Sequence, residues 1–221
     1  MLATILRAPR FTEDQYITVT QDGDTDYLKI DRGVNRYTAD EWADLLTALG
    51  PDWTWTATGG VLTVTATPNA DIVWGSPEYL GQTALRNFLG FDDDLTATAG
   101  GVTADAPLTG YWQGRCQHTF GGDKKAERMA HSGPFGTMVV ADRRQRMTGK
   151  VVLWLCERPD DLADSLENVY NLAGAWVAGE LVLTVDGTTW KRLLTTGDWE
   201  CAPQWLDAQT ATLEIDLCLH E

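Results

Sequence analysis

The sequence predicts an α+β fold, predominantly antiparallel, with sandwich- or barrel-like sheets and two or three short helices packed on them. Three observations carry this expectation. Short runs rich in Val, Ile, Thr and Trp alternate with polar residues, the period-two pattern of strands buried on one face. Gly59-Gly60 and Asp186-Gly187 separate such runs, where tight hairpins need left-handed backbone. A few segments instead carry the 3.6-residue apolar period of a helix, with acidic residues at their starts.

In chain order, Tyr16-Ile17-Thr18-Val19-Thr20 is β-branched and alternating, and Gln21-Asp22-Gly23-Asp24 turns it into a second strand at Tyr27-Leu28-Lys29-Ile30. Thr38-Ala39-Asp40-Glu41 reads as a capping box, in which the Thr hydroxyl takes a backbone N–H while Glu41 reaches back. Trp42, Leu45, Leu46 and Leu49 then form one apolar helical stripe, ended by Gly50-Pro51. Trp53-Thr54-Trp55-Thr56 alternates, and Val61 to Thr67 returns after Gly59-Gly60. A second helix is expected from the Ser76 cap and Pro77-Glu78 to Leu89-Gly90.

Beyond residue 150 the pattern sharpens. Val151–Leu155 reads as a strand. Pro159 opens a helix with Asp160 and Asp161 in its first turn, where the helix dipole favours them. Leu162, Leu166, Val169 and Ala173 make its buried stripe, and Gly174 is its expected stop. Asp186-Gly187 joins Leu181–Val185 to Thr189–Leu193. The last strand sets Leu213, Ile215, Leu217 and Leu219 on one face and Thr212, Glu214, Asp216, Cys218 and His220 on the other. One phrase of strand, acid-started helix, glycine stop and strand is thus stated twice, over 27–64 and again over 151–185.

These patterns divide the chain into an N-terminal α+β region (1–110), a basic glycine-rich arm or insertion (111–150) and a C-terminal β-α-β-β region (151–221), either separate or one domain with the N-terminal half. The middle segment holds eight of the 17 basic residues against three acids. Arg115, Lys124, Lys125, Arg128, Arg143, Arg144 and Arg146 mark a candidate inter-subunit arm, docking on the acidic body of a neighbour; a solvated loop is the other reading.

With a net charge of −15, the chain lacks the clustered cations that hold nucleic acid through counterion release, so no sequence-specific nucleic-acid binding is expected. No apolar run approaches the length of a bilayer span, so no membrane partner is expected either. The first residues reach charge too soon for a secretory signal, which points to synthesis in a cytoplasm and to free thiols.

The residues that carry chemistry are sparse. Cys116, Cys156, Cys201 and Cys218 lack zinc or redox spacing, and His118, His131 and His220 are scattered, so no cofactor and no metal are expected. Asp92-Asp93-Asp94 does not space its carboxylates as a calcium loop does. Cys116 and His118 share a strand face by periodicity, without the signature of a catalytic pair. Gly121-Gly122-Asp123-Lys124 lacks the spacing of a phosphate-binding loop. No catalytic residue is assigned and no enzymatic activity is expected.

Among the ten tryptophans, Trp53 and Trp55 lie on one strand face, a candidate aromatic interface or a platform for stacking a sugar ring. Trp42, Trp154 and Trp176 sit amid core-like neighbours.

Two passages carry a family resemblance. The first runs Trp74-Gly75-Ser76-Pro77-Glu78-Tyr79-Leu80, then Leu85-Arg86-Asn87-Phe88-Leu89-Gly90-Phe91, then a Thr/Ala/Gly-rich stretch to Ala106-Pro107-Leu108. The second is the C-terminal helix, Gly174, the Asp186-Gly187 hairpin, Trp190, Trp199, Pro203, Trp205 and the terminal strand. In these, about half of the chain, the protein resembles virion structural proteins of tailed bacteriophages, of the tail, baseplate or connector type. The resemblance implies a non-enzymatic subunit of a virion assembled in the host cytoplasm. Its partners would be itself, in a trimer or hexamer ring, and neighbouring virion proteins. Segment 111–150 would suit an inter-subunit arm. The helix–strand repetition of the first half departs from a simple tail-tube sandwich. Two alternatives stand beside this expectation: a carbohydrate-binding, receptor-recognising β-module and an unrecognised hydrolase.

Overall fold

A computed structural model of the protein describes residues 2–9, 11–32, 38–50, 52–78, 83–119, 128–133, 136–141, 148–155, 159–177, 179–195, 202–206 and 210–219. The fold is α+β and dominated by strands, and every described register is antiparallel. The chain forms two compact units, one of residues 4–113 and one of residues 1–3 with 114–221.

After β1 (Leu2–Arg7), the first unit carries β2 (Gln15–Gln21), β3 (Asp24–Ile30), α1 (Ala39–Leu49), β4 (Trp53–Thr58), β5 (Val61–Ala66), β6 (Ala70–Trp74), α2 (Ala84–Leu89), β7 (Leu95–Ala97) and β8 (Val102–Thr103). They make a four-stranded sheet, β3-β2-β6-β7, and a three-stranded sheet, β4-β5-β8. Asp22 and Gly23, both at positive φ, close the β2–β3 hairpin, and Gly59 and Gly60 do the same for β4–β5. The capping box of α1 forms: Thr38 Oγ1 accepts from the Glu41 N–H, and a Glu41 carboxylate oxygen accepts from the Thr38 N–H. The buried face of α1, Trp42 and Leu46, meets the inward alternates of β4 and β5 in one core with Trp74, Phe88 and Phe91.

The second helix begins later than expected. Pro77 and Glu78 form a turn, and α2 starts at Ala84 after Thr83. The chain is still committed to sheet at this point, because the Gly75 N–H extends the β2–β6 ladder by donating to the Tyr16 carbonyl oxygen at 2.8 Å. The far end of α2 is as expected. Gly90 adopts a left-handed φ of 82°, and the Phe91 N–H donates back to the Arg86 carbonyl oxygen. Phe91 then enters the core between Trp55 and Trp74.

The second unit carries β9 (Trp112–His118, shared at its start with the first unit), β10 (Arg128–Gly133), β11 (Gly136–Ala141), β12 (Thr148–Leu155), α3 (Pro159–Val177), β13 (Leu181–Val185), β14 (Thr188–Thr195), β15 (Gln204–Trp205) and β16 (Ala211–Leu219). The order β12-β9-β1-β13-β14-β16 closes on itself through eight β12–β16 pairs, Thr148↔Cys218 to Leu155↔Ala211, giving a six-stranded barrel. Short β15 pairs with the start of β16. Val151, Leu153, Leu155, Leu213, Ile215 and Leu217 fill the interior by strict alternation. A register shift between β13 and β14 coincides with a left-handed Arg192, a bulge of the sort that bends a barrel strand.

Two expectations are corrected here. Gly174 does not stop α3, which continues to Val177 because Trp176, the next-to-last residue of the helix, is fully buried. The phrase repeated in the sequence is also not a structural repeat. β3 and β5 belong to different sheets, with β4 taken up between α1 and β5, whereas β12 and β13 share the barrel.

Candidate functional site

The basic segment is not one continuous loop. Its ends are the barrel strands β9 and β12, and between them β10 and β11 pair in register from Arg128↔Ala141 to Gly133↔Gly136. This hairpin is a two-stranded sheet by itself and pairs with no other strand among the described residues. Arg128 stands at the open end of that ladder. Lys124, Lys125, Arg143, Arg144 and Arg146 lie outside the described residues. Arg115 is exposed on β9.

Arg115 belongs to a row on the outer barrel face. Trp154 of β12 is in register with Arg115 on one side and Thr212 of β16 on the other. The core position expected for Trp154 is therefore corrected. The ring is 37% exposed, because alternation turns Val151, Leu153 and Leu155 inward and leaves Trp154 outside. On the same face Lys150 pairs with Glu214 and stands 3.8 Å from Asp216, and the Glu214 hydrogen bond raises the Lys150 ammonium pKa above its ordinary value. Trp205 and Leu206 are exposed next to this sheet on β15 and its turn, 57% and 55%.

Trp53 and Trp55 are 5% and 3% exposed and stand at 83° to one another, with ring centroids 5.5 Å apart. They are core side chains, not a sugar platform, since α1 and Phe91 cover the strand face they share. Cys116 is buried in the barrel and its burial pushes the thiol pKa up, the opposite of what a nucleophile needs. The His118 ring meets Trp190 edge-on at 5.3 Å. Asp93 and Asp94 organise a loop: the Asp93 carbonyl oxygen accepts from the Trp74 indole, and Asp94 Oδ1 accepts from the Trp74 backbone N–H, both at 3.0 Å.

One concave feature of the first unit escaped the sequence. A cleft of about 290 Å³ lies between the β2–β3 hairpin, the C-terminal end of α1 and the start of β4. Its polar rim is Asp22, Asp24, Asp26 and Asp52, and its apolar floor includes Leu28, Leu49 and Trp53. Gln21, also on the wall, is held by donating to the Pro68 carbonyl oxygen at 2.6 Å. The signal was partial: Asp24 and Asp26 alternate visibly on one strand face, but only the fold brings Asp52 beside them.

Compared with known protein families, curated proteins and solved structures, the chain matches none.

Proposed function

We propose that this chain is a non-enzymatic structural subunit of a tailed-bacteriophage virion, a homo-oligomeric ring component of a tail, baseplate or head–tail connector. The observation that carries the reading is the β10–β11 hairpin. Six residues to a strand, it is a sheet of two among the described residues, and such a hairpin is marginally stable alone in water. Packing against a neighbouring subunit would add buried surface to it. Its segment is basic while the whole chain is strongly acidic, so copies attract through unlike patches and not through like ones.

The outer barrel face supports the same reading. A tryptophan flanked by an arginine is the composition of a buried anchor at an interface, and Trp154 beside Arg115 is presented to solvent in an isolated copy.

The test is absolute mass by light scattering across a range of concentration. The expected result is growth toward a fixed multiple of 24.4 kDa, with the multiple giving the ring symmetry. Replacing 128–141 by a short Gly-Ser linker is expected to return the chain to monomer. A wild-type chain that stays monomeric at every concentration would count against a self-assembling ring.

A further inference from the structure

We propose that the cleft between the β2–β3 hairpin and the end of α1 receives the guanidinium groups of a basic segment from a second copy of this chain, the run Arg143-Arg144-Gln145-Arg146. The inference rests on the assembly reading above and names the surface that the basic segment docks on.

The chemistry of the cleft selects a cation. Asp22, Asp24, Asp26 and Asp52 are all exposed at its rim, and none forms an ion pair or a side-chain hydrogen bond with a described residue. Leu49 and Gly50, at the C-terminal end of α1, form another wall, and the last turn of that helix holds no basic residue. The negative end of the helix dipole therefore adds to the field of the carboxylates. Among the described residues, no three acidic, histidine or cysteine side chains converge as ligands of one metal ion. Spread over the β2–β3 turn, β3 and the residue before β4, the carboxylates match a chain carrying several positive charges better than a single point charge.

A separate observation marks the floor as a binding surface. The indole Nε1 of Trp53 is buried and has no hydrogen-bond acceptor. It lies against Gly50 in the wall of the cleft, where an added Cβ would stand 2.7 Å from it, so any side chain at position 50 would collide with the indole edge. Trp55 also has an unpartnered Nε1, but that ring is packed between Trp53 and Phe91 and does not line this cleft. A buried donor without an acceptor is costly, and a peptide carbonyl entering the cleft would supply one. The occupant is thus a peptide that brings cations and carbonyl oxygens together, not a simple amine.

The chain contains such a peptide. Three arginines fall within four positions at 143–146, in a segment with eight basic residues against three acids. Bound in extended form, Arg144 and Arg146 would stand on one side about 6.7 Å apart, the repeat that Asp24 and Asp26 present on β3. Arginine forks match carboxylates in two-point geometry, which lysines do not.

The experiment uses the full chain and a synthetic peptide of residues 141–150, with titration calorimetry at low salt. The wild type is expected to bind the peptide, with affinity falling as salt rises. The double variant Asp24→Asn/Asp26→Asn is expected to bind about tenfold more weakly, the sum of two exposed ion pairs. Both positions are exposed and unpaired, and an unchanged melting temperature would show that the variant is folded. A peptide with Arg143, Arg144 and Arg146 replaced by Gln should not bind. Failure of the wild type to bind, or equal binding by the double variant, overturns the inference. Light-scattering mass of the same wild-type sample reports separately on assembly: an oligomer whose double variant binds peptide normally removes this site and leaves the ring.

Discussion

Thr47 on α1 holds the backbone of Trp55 on β4: its hydroxyl oxygen accepts from the Trp55 N–H at 2.8 Å and its hydroxyl donates to the Trp55 carbonyl oxygen at 3.4 Å. β4 is the outer strand of its sheet, so these two backbone groups face away from the ladder with β5. A helix side chain thereby closes part of a sheet edge that would otherwise be open for pairing. The same residue fixes the height of α1 on the strand that carries the Trp53 and Trp55 core rings.

Replacing the hydroxyl by a methyl group isolates its contribution. Thr47→Val keeps the shape and leaves the partly buried Trp55 N–H without an acceptor, an expected loss of about 1–2 kcal/mol in urea unfolding. Thr47→Ser retains the hydroxyl and is expected to lose far less. Equal losses in the two variants would mean that the methyl packing, not the hydrogen bond, joins α1 to β4.

The capping box at Thr38 gives a second prediction. Thr38→Ala removes the acceptor of the Glu41 N–H and the geometry that lets Glu41 reach back, and is expected to cost about 1 kcal/mol. Thr38→Asn should restore most of this. Chemical denaturation of the three proteins checks it, and an alanine variant as stable as wild type would show that packing of Trp42 and Leu46 alone places the helix.

Two glycines of similar φ separate backbone strain from lack of space. Gly90 (φ 82°) faces the Ala106 carbonyl oxygen, which would lie 2.0 Å from an added Cβ, whereas Gly187 (φ 77°) has nothing within 4 Å. Gly187→Ala is therefore expected to cost about 1 kcal/mol for the left-handed backbone alone. Gly90→Ala carries that cost plus a clash with backbone that cannot rotate aside, about 3 kcal/mol or more. Thermal unfolding would rank them, and similar shifts for both would show that the 106 loop yields.

What the sequence made legible, and what it hid, follows from the range of the interactions involved. The cap of α1, the Asp186-Gly187 turn and the alternation of β16 are written within a few residues, and each forms as expected. Trp154 was hidden because Val151-Val152-Leu153-Trp154-Leu155 is apolar on both faces. Its outward side is set only when β9 and β16 close the barrel around β12. Trp53 and Trp55 were correctly put on one face, but whether that face meets solvent or core depends on α1 and on Phe91. Gly174 is a local stop that the burial of Trp176 outweighs. The acidic cleft is legible only in its Asp24–Asp26 alternation, for the same reason as Trp154: Asp52 joins these carboxylates only after α1 has packed.

The exposed cluster around Lys29 makes the stability of the first unit depend on pH at both extremes. The Lys29 ammonium lies 2.8 Å from both Asp14 and Asp31, and the Arg32 backbone N–H donates to Asp14 at 3.0 Å. The Lys29 hydrogen bond, helped by that of Arg32, holds the Asp14 carboxyl pKa below its ordinary value, and the two carboxylates raise that of Lys29. For Asp14 the folded-state pKa is the lower one. Its contribution is therefore present above the ordinary carboxylate pKa and is lost as pH falls through the folded value. For Lys29 the folded-state pKa is the higher one, so its contribution is present below the ordinary lysine pKa and is lost as pH rises through the folded value. Asp14→Asn should flatten the acid limb of a plot of urea midpoint against pH and leave part of the alkaline limb, because Asp31 still faces Lys29. Both limbs should shrink in high salt, as expected of pairs open to solvent. Carboxyl NMR of Asp14 provides the direct reading, and a titration at the ordinary aspartate position would remove the ion pair from the account of acid stability.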